Sequence, residues 1–141
     1  MLTVGCMIAL WLGISGCGGG PEPPIGTWTD AKCVDDSPAC ISQRQTMLRT
    51  MLADREHRWV KQPATADSYA SGVRLFAFKS RKRDLTCDDL AAGRREADAG
   101  PAVLRGPAGK HLTPAQVSRG AILAGEVSRE LSVEMRRRCR V

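Results

Sequence analysis

The chain predicts an all-α fold: a small irregular bundle of three to four helices stapled by two disulfides. Three observations predict it. Apolar residues recur at helical spacing along most of the chain beyond residue 37. Two hydroxyl–proline pairs, Ser37-Pro38 and Thr113-Pro114, mark helix starts, because the hydroxyl can cap the first turn and proline fits its first position. Four cysteines, Cys33, Cys40, Cys87 and Cys139, form an even set with no CxxC spacing among them. That set fits two disulfides better than a zinc site, which only His57 and His111 could help to complete.

The elements follow in order. Residues 25–36 are expected to be irregular, with a short extended piece at Thr27-Trp28-Thr29. From Ser37-Pro38, the spacing of Ile41, Leu48, Met51, Leu52, Arg55 and Trp59 predicts a helix ending near Val60, ahead of Pro63. Thr65 or Asp67 caps a second helix running to about Lys82. Val73 to Phe78 also has the composition of a strand, but Tyr69, Val73, Phe76 and Ala77 share one helical face, so helix is favoured. Thr86 with Asp89 makes a capping box for a third helix from Cys87 to about Ala99. Gly100-Pro101 and Gly106-Pro107 are expected to break the chain. The last helix starts at Thr113-Pro114, carries Val117, Ala121, Ala124, Val127, Leu131 and Met135 on one stripe, and reaches Arg137. Its small residues allow close approach of another helix.

Aromatic side chains are few, so a core built on Leu, Val, Met and Ala is modest and benefits from covalent staples. Of the three pairings four cysteines allow, Cys33–Cys40 with Cys87–Cys139 is favoured. The first is local, and the second ties two predicted helix ends. The chain-entropy account assigns about 2.5 kcal/mol to the short loop and about 4 kcal/mol to the long one.

The amino-terminal stretch carries a different signal. Met7-Ile8-Ala9-Leu10-Trp11-Leu12-Gly13 is too short to span a bilayer but has the length of a signal-peptide apolar region. It leads into Ile14-Ser15-Gly16-Cys17. This run resembles the lipobox of bacterial lipoproteins. The resemblance implies cleavage before Cys17, diacylglyceryl modification of its sulfur, and an oxidising compartment in which the four cysteines pair. Residues 1–16 are then the signal peptide, residues 17–26 the lipidated cysteine and a Gly/Pro tether, and residues 27–141 the helical domain. Gly18 after the cysteine implies the outer membrane, facing the periplasm, where the organism has one.

The net charge of +6 lies wholly in the part beyond the signal. Lys79, Arg81, Lys82 and Arg83 form a candidate basic contact surface, and Arg136 to Arg138 with Arg140 a second cluster. Glu126, Glu130 and Glu134 recur every four residues on the last helix. Like charges at that spacing repel, so the first basic cluster is expected to face them. Arg138 is expected to pair with Glu134.

No residue announces catalysis. Asp35-Asp36 and Asp88-Asp89 are adjacent carboxylates, and neighbours on a helix do not face each other. His57 is expected on the polar side of the first helix and His111 in the Gly-rich loop. There is no G-x-S-x-G elbow, phosphate loop or dinucleotide fingerprint. No cofactor or metal is expected. Nucleic acid is not expected as a partner of an exported chain, despite the charge. The expected partners are the membrane, through the anchor, and another envelope protein. The layout of anchor, helical bundle and disulfide looks like that of small pilot lipoproteins that escort outer-membrane secretion channels, a likeness that carries over no binding residues. The expected function is a lipid-anchored envelope protein that binds or positions another envelope component. The alternative is a small envelope enzyme or enzyme inhibitor.

Overall fold

A computed structural model describes residues 33–140. The expected signal segment, Cys17, the expected tether and Thr27-Trp28-Thr29 lie outside the described residues. The fold is all-α, with no strand among the described residues. Among the described residues five helices follow one another: α1 (Pro38–Ala53), α2 (Ala66–Ser71), α3 (Val73–Arg81), α4 (Cys87–Arg105) and α5 (Pro114–Arg138). Single 3-10 turns at Arg58–Lys61 and Pro107–Gly109 join them.

The starts are those the sequence announces. The Ser37 side chain accepts from the Cys40 amide at 3.3 Å, with Pro38 in the first turn. Thr65, Thr86 and Thr113 each sit in a reciprocal capping box, with Ser68, Asp89 and Gln116 respectively.

The ends differ in three places. The first helix stops at Ala53 rather than Val60. Asp54 is the cause: its carboxylate accepts from the amides of Glu56 (3.2 Å) and Arg58 (2.7 Å), which offers the backbone a tight turn in place of further helix. His57 completes that turn with a φ of 51°. It is buried beyond the helix, not on its polar side.

The predicted helix over residues 65–82 is two helices, broken at Gly72. There φ is +73°, a conformation open to glycine and strained for other residues. The break rotates α3, so that Arg74 and Phe78 face the core while Phe76 faces outward.

The third helix continues through Gly100-Pro101 to Arg105. Proline at an interior position removes one helical hydrogen bond and crowds the preceding turn. Tertiary packing holds the helix through it. A Cβ on Gly100 would stand 3.1 Å from both Ala124 and Tyr69. The Tyr69 hydroxyl donates to the Glu96 carbonyl at 2.8 Å, inside the same turn.

The core is the space enclosed by α4, α5 and the α2–α3 pair. Met51, Trp59, Leu75, Phe78, Leu85, Leu90, Val127 and Leu131 are fully buried there. Trp59 and Phe78 meet edge to face, with ring centroids 4.7 Å apart. Small residues let α4 and α5 close on it: a Cβ on Gly93 would strike the Phe78 ring at 2.5 Å.

Both disulfides join the cysteines expected. Cys33 and Cys40 are bonded with Cα atoms 5.0 Å apart, and Cys87 and Cys139 at 5.8 Å. The second bond ties the start of α4 to the end of α5. Beside it, Arg138 donates to the carbonyls of Lys82, Arg83 and Leu85, fixing the α3–α4 connection to the same helix end.

Candidate functional site

α2 and α3 lie along one side of α5, and the seam between them carries the surface features of interest. Its upper part is an apolar groove of about 610 Å³. Gly72 and Leu123 line it together with Phe76, which is 46% exposed, and Ile122, which is 70% exposed. The left-handed kink at Gly72 creates the groove. A side chain there would collide with Leu123, at 2.8 Å from its Cβ, and fill the space. Its two charged lining residues are both paired. Arg119 is engaged with Asp36 at 3.2 Å, and Glu126 with Lys79.

Below the groove, ion pairs cross the seam. Lys79 of α3 binds Glu126 and Glu130 of α5, the second at 3.2 Å, and Lys82 binds Glu130. Hydrogen bonding from Lys82, reinforced by Lys79 and opposed by burial, holds the Glu130 carboxyl below its ordinary 4.5. Donating hydrogen bonds to the Glu126 and Glu130 carboxylates pushes the Lys79 ammonium up.

The basic cluster therefore divides. Lys79 and Lys82 face the acidic stripe, Arg81 pairs with its neighbour Asp84 at 3.2 Å, and the Arg83 side chain is exposed. Glu134 is buried and turns to its own helix, with Arg137 at 3.5 Å and Arg138 at 3.6 Å. A second concavity of about 250 Å³ lies below the ion pairs, lined by Lys82, Arg83, Arg129, Val133 and Arg137 among others.

The remaining residues of interest do not converge on one place. His57 Nδ1 lies 3.2 Å from Asp89, the carboxylate that also closes the Thr86 capping box. This contact locks the α1 turn to the start of α4. His111 meets Asp67 at the start of α2. Asp35 and Asp36 lie within the loop closed by Cys33–Cys40. Hydrogen bonding from the Ser37 side chain, with the Ser37 amide donating at 2.8 Å, holds the Asp35 carboxyl below the ordinary range. Among the described residues no group of three or more His, Cys, Asp or Glu side chains is arranged to hold a metal ion. No helix among them is long and apolar enough to cross a membrane.

Sequence reasoning assigned Phe76 to the core face and passed over Ile122. The available signal for Ile122 was its place off the apolar stripe of α5, on the side where polar residues belong. Nothing comparable marked Phe76, because its direction depends on the break at Gly72.

No family model, no curated protein and no solved structure matches this chain.

Proposed function

We propose that this chain is a lipid-anchored envelope protein, held to the membrane through Cys17, that binds another envelope component in the groove between α2–α3 and α5. The observation that carries the reading is the groove. Its walls are mostly apolar, its two charged lining residues are paired, and Phe76 and Ile122 stand exposed to solvent along it. Large apolar side chains grouped on a surface cost solubility and mark a place where another molecule binds. The lining supports docking rather than catalysis, since polar groups do not converge inside the groove. Lys79 and Lys82 belong in this reading to the architecture of the seam, where they balance the glutamates of α5.

Two experiments test the two halves of the proposal. Cys17→Ser should abolish lipid labelling and release the protein from membranes; a variant still labelled and membrane-bound refutes the anchor. A photo-crosslinking residue in place of Phe76 should give one discrete adduct with a heterologous envelope protein in whole cells. The same residue in place of Arg94, which is exposed on α4, should not. Equal capture by both positions, or none at Phe76, refutes the groove as the docking site.

A further inference from the structure

The outward face of α5 is self-complementary, and we propose that two copies of this chain pair through it, antiparallel, about a twofold axis. The face is directly opposite the buried stripe. Along its centre run Ile122, Arg129 and Val133, with Gly125 and Glu126 beside them. Two of these are large apolar side chains in solvent: Ile122 is 70% exposed and Val133 is 48% exposed. They are separated by three turns of helix, about 16 Å.

The spacing is symmetric. The midpoint between Ile122 and Val133 falls between Val127 and Ser128. Glu126 and Arg129 are centred on that same point, and so are Gly125 and Glu130. An antiparallel helix pair centred there brings Ile122 of each copy onto Val133 of the other. It also brings Glu126 onto the Arg129 of the other copy, and Glu130 onto Gly125, over which the same chain's Arg129 guanidinium lies, 3.6 Å from where a Cβ would stand, so Arg129 swings off Gly125 to reach the partner's Glu126. Each contact occurs twice, as a twofold interface requires.

The charges agree with this pairing. Among the described residues Arg129 is exposed and makes no ion pair within its own chain, whereas Glu126 holds Lys79 with only part of its carboxylate. The guanidinium of the second copy would complete it. Arg119 and Arg136 are the one like-charged pair that this register brings together, and Arg119 is already neutralised by Asp36. A parallel arrangement has none of these matches, since it sets Arg129 beside Arg129 and Glu126 beside Glu126. The occupant is therefore a second copy rather than a generic apolar partner. Ile122 and Glu126 also line the groove, so a dimer in this register competes with an envelope protein for that edge, and its test, the oligomeric state of the purified chain, is separate from the crosslinking that tests the groove.

The full chain, purified in detergent and followed by sedimentation with the detergent mass accounted for, should pass from monomer to dimer as its concentration rises. Arg129→Glu should abolish the dimer. So should Glu126→Arg, while the two together restore it; circular dichroism and thermal melting verify that each variant is folded. Register is read by cysteine pairing. Mixing Ile122→Cys with Val133→Cys chains should give a heterodisulfide dimer, and neither variant alone should crosslink efficiently. Peptide mapping must show Cys33–Cys40 and Cys87–Cys139 intact. A chain that stays monomeric throughout overturns the proposal. So does loss of dimer that the double charge reversal fails to rescue, and so do single variants that crosslink as well as the mixture.

Discussion

Arg74 is the residue whose environment departs furthest from its type. It is 1% exposed, yet every part of its guanidinium fork has a partner. Nε meets Glu96 at 2.9 Å, Nη1 donates to the Trp59 carbonyl at 2.6 Å, and Nη2 donates to the Gln62 carbonyl at 2.9 Å. One side chain thus fastens the Arg58–Lys61 turn to α3 and α4. Arg74→Ala should destabilise the fold by about 3–5 kcal/mol, because it leaves a cavity at a fully buried position and orphans the largely enclosed Glu96 carboxylate and the Trp59 carbonyl. Arg74→Met combined with Glu96→Leu should recover part of that loss in denaturant melts, since no charge is then left unpaired.

Tyr69 gives a second residue-scale expectation. Burial, with the nearby Glu96 charge adding to it, pushes the phenol up from 10.0 to about 12. The folded state holds this proton more tightly than the unfolded one. Stability from Tyr69 is therefore complete below pH 10.0 and is lost as the pH rises from there toward about 12. The chain has a single tyrosine, so tyrosinate absorbance reports it alone. The folded protein should show no tyrosinate near pH 10, while the denatured chain titrates there.

At the scale of elements, short helices are held by their ends. α2 has six residues and α3 nine, too few to be stable alone in water. Thr65 caps the first, Gly72 joins the two, and α5 covers both. The long helices α4 and α5 meet along their small residues and are tied by Cys87–Cys139. That bond closes a separation of 52 residues, against seven for Cys33–Cys40. The loop-entropy account assigns the longer closure about 4 kcal/mol and the shorter about 2.5 kcal/mol. Replacing Cys87 and Cys139 by alanine should lower the melting temperature more than replacing Cys33 and Cys40. The reverse order would mean that native packing around the short loop outweighs chain entropy.

Across the whole molecule, the α3–α5 seam combines an apolar groove, a band of ion pairs and a basic concavity. The ion pairs are partly exposed, so their contribution is modest and screened by salt. Neutralising Lys79 and Lys82 to glutamine should lower the melting temperature at low salt, by less at high salt, whereas Arg83→Gln should leave it unchanged. Glu130 sets the pH dependence of the same band. Its folded carboxyl lies below the ordinary 4.5, so its contribution is complete above that value and is lost as the pH falls through the folded value. The Lys79/Lys82 double variant should lose less stability than the parent on acidification over that window. An unchanged melt, with weakened binding to anionic vesicles, would instead make these lysines a docking surface.

Local signals by themselves determined a good deal of this protein. Helical spacing, the Ser37 and Thr113 caps, the Thr86–Asp89 box and the cysteine pairing were legible because each depends on residues close in sequence or on a simple count. The facing of Lys79 and Lys82 toward the glutamates of α5 followed from charge balance alone. Tertiary structure decided the rest. Pro101 remains inside α4 because Gly100 and Tyr69 pack that turn against α5, and no local rule contains that contact. Asp54 ends α1 early because its carboxylate can serve two amides at once, an outcome that the later residues allow but do not announce. The candidate site was illegible for the same reason. Gly72 turns α3 so that Arg74 goes in and Phe76 comes out, and only the neighbouring α5 makes a groove of what would otherwise be one exposed side chain.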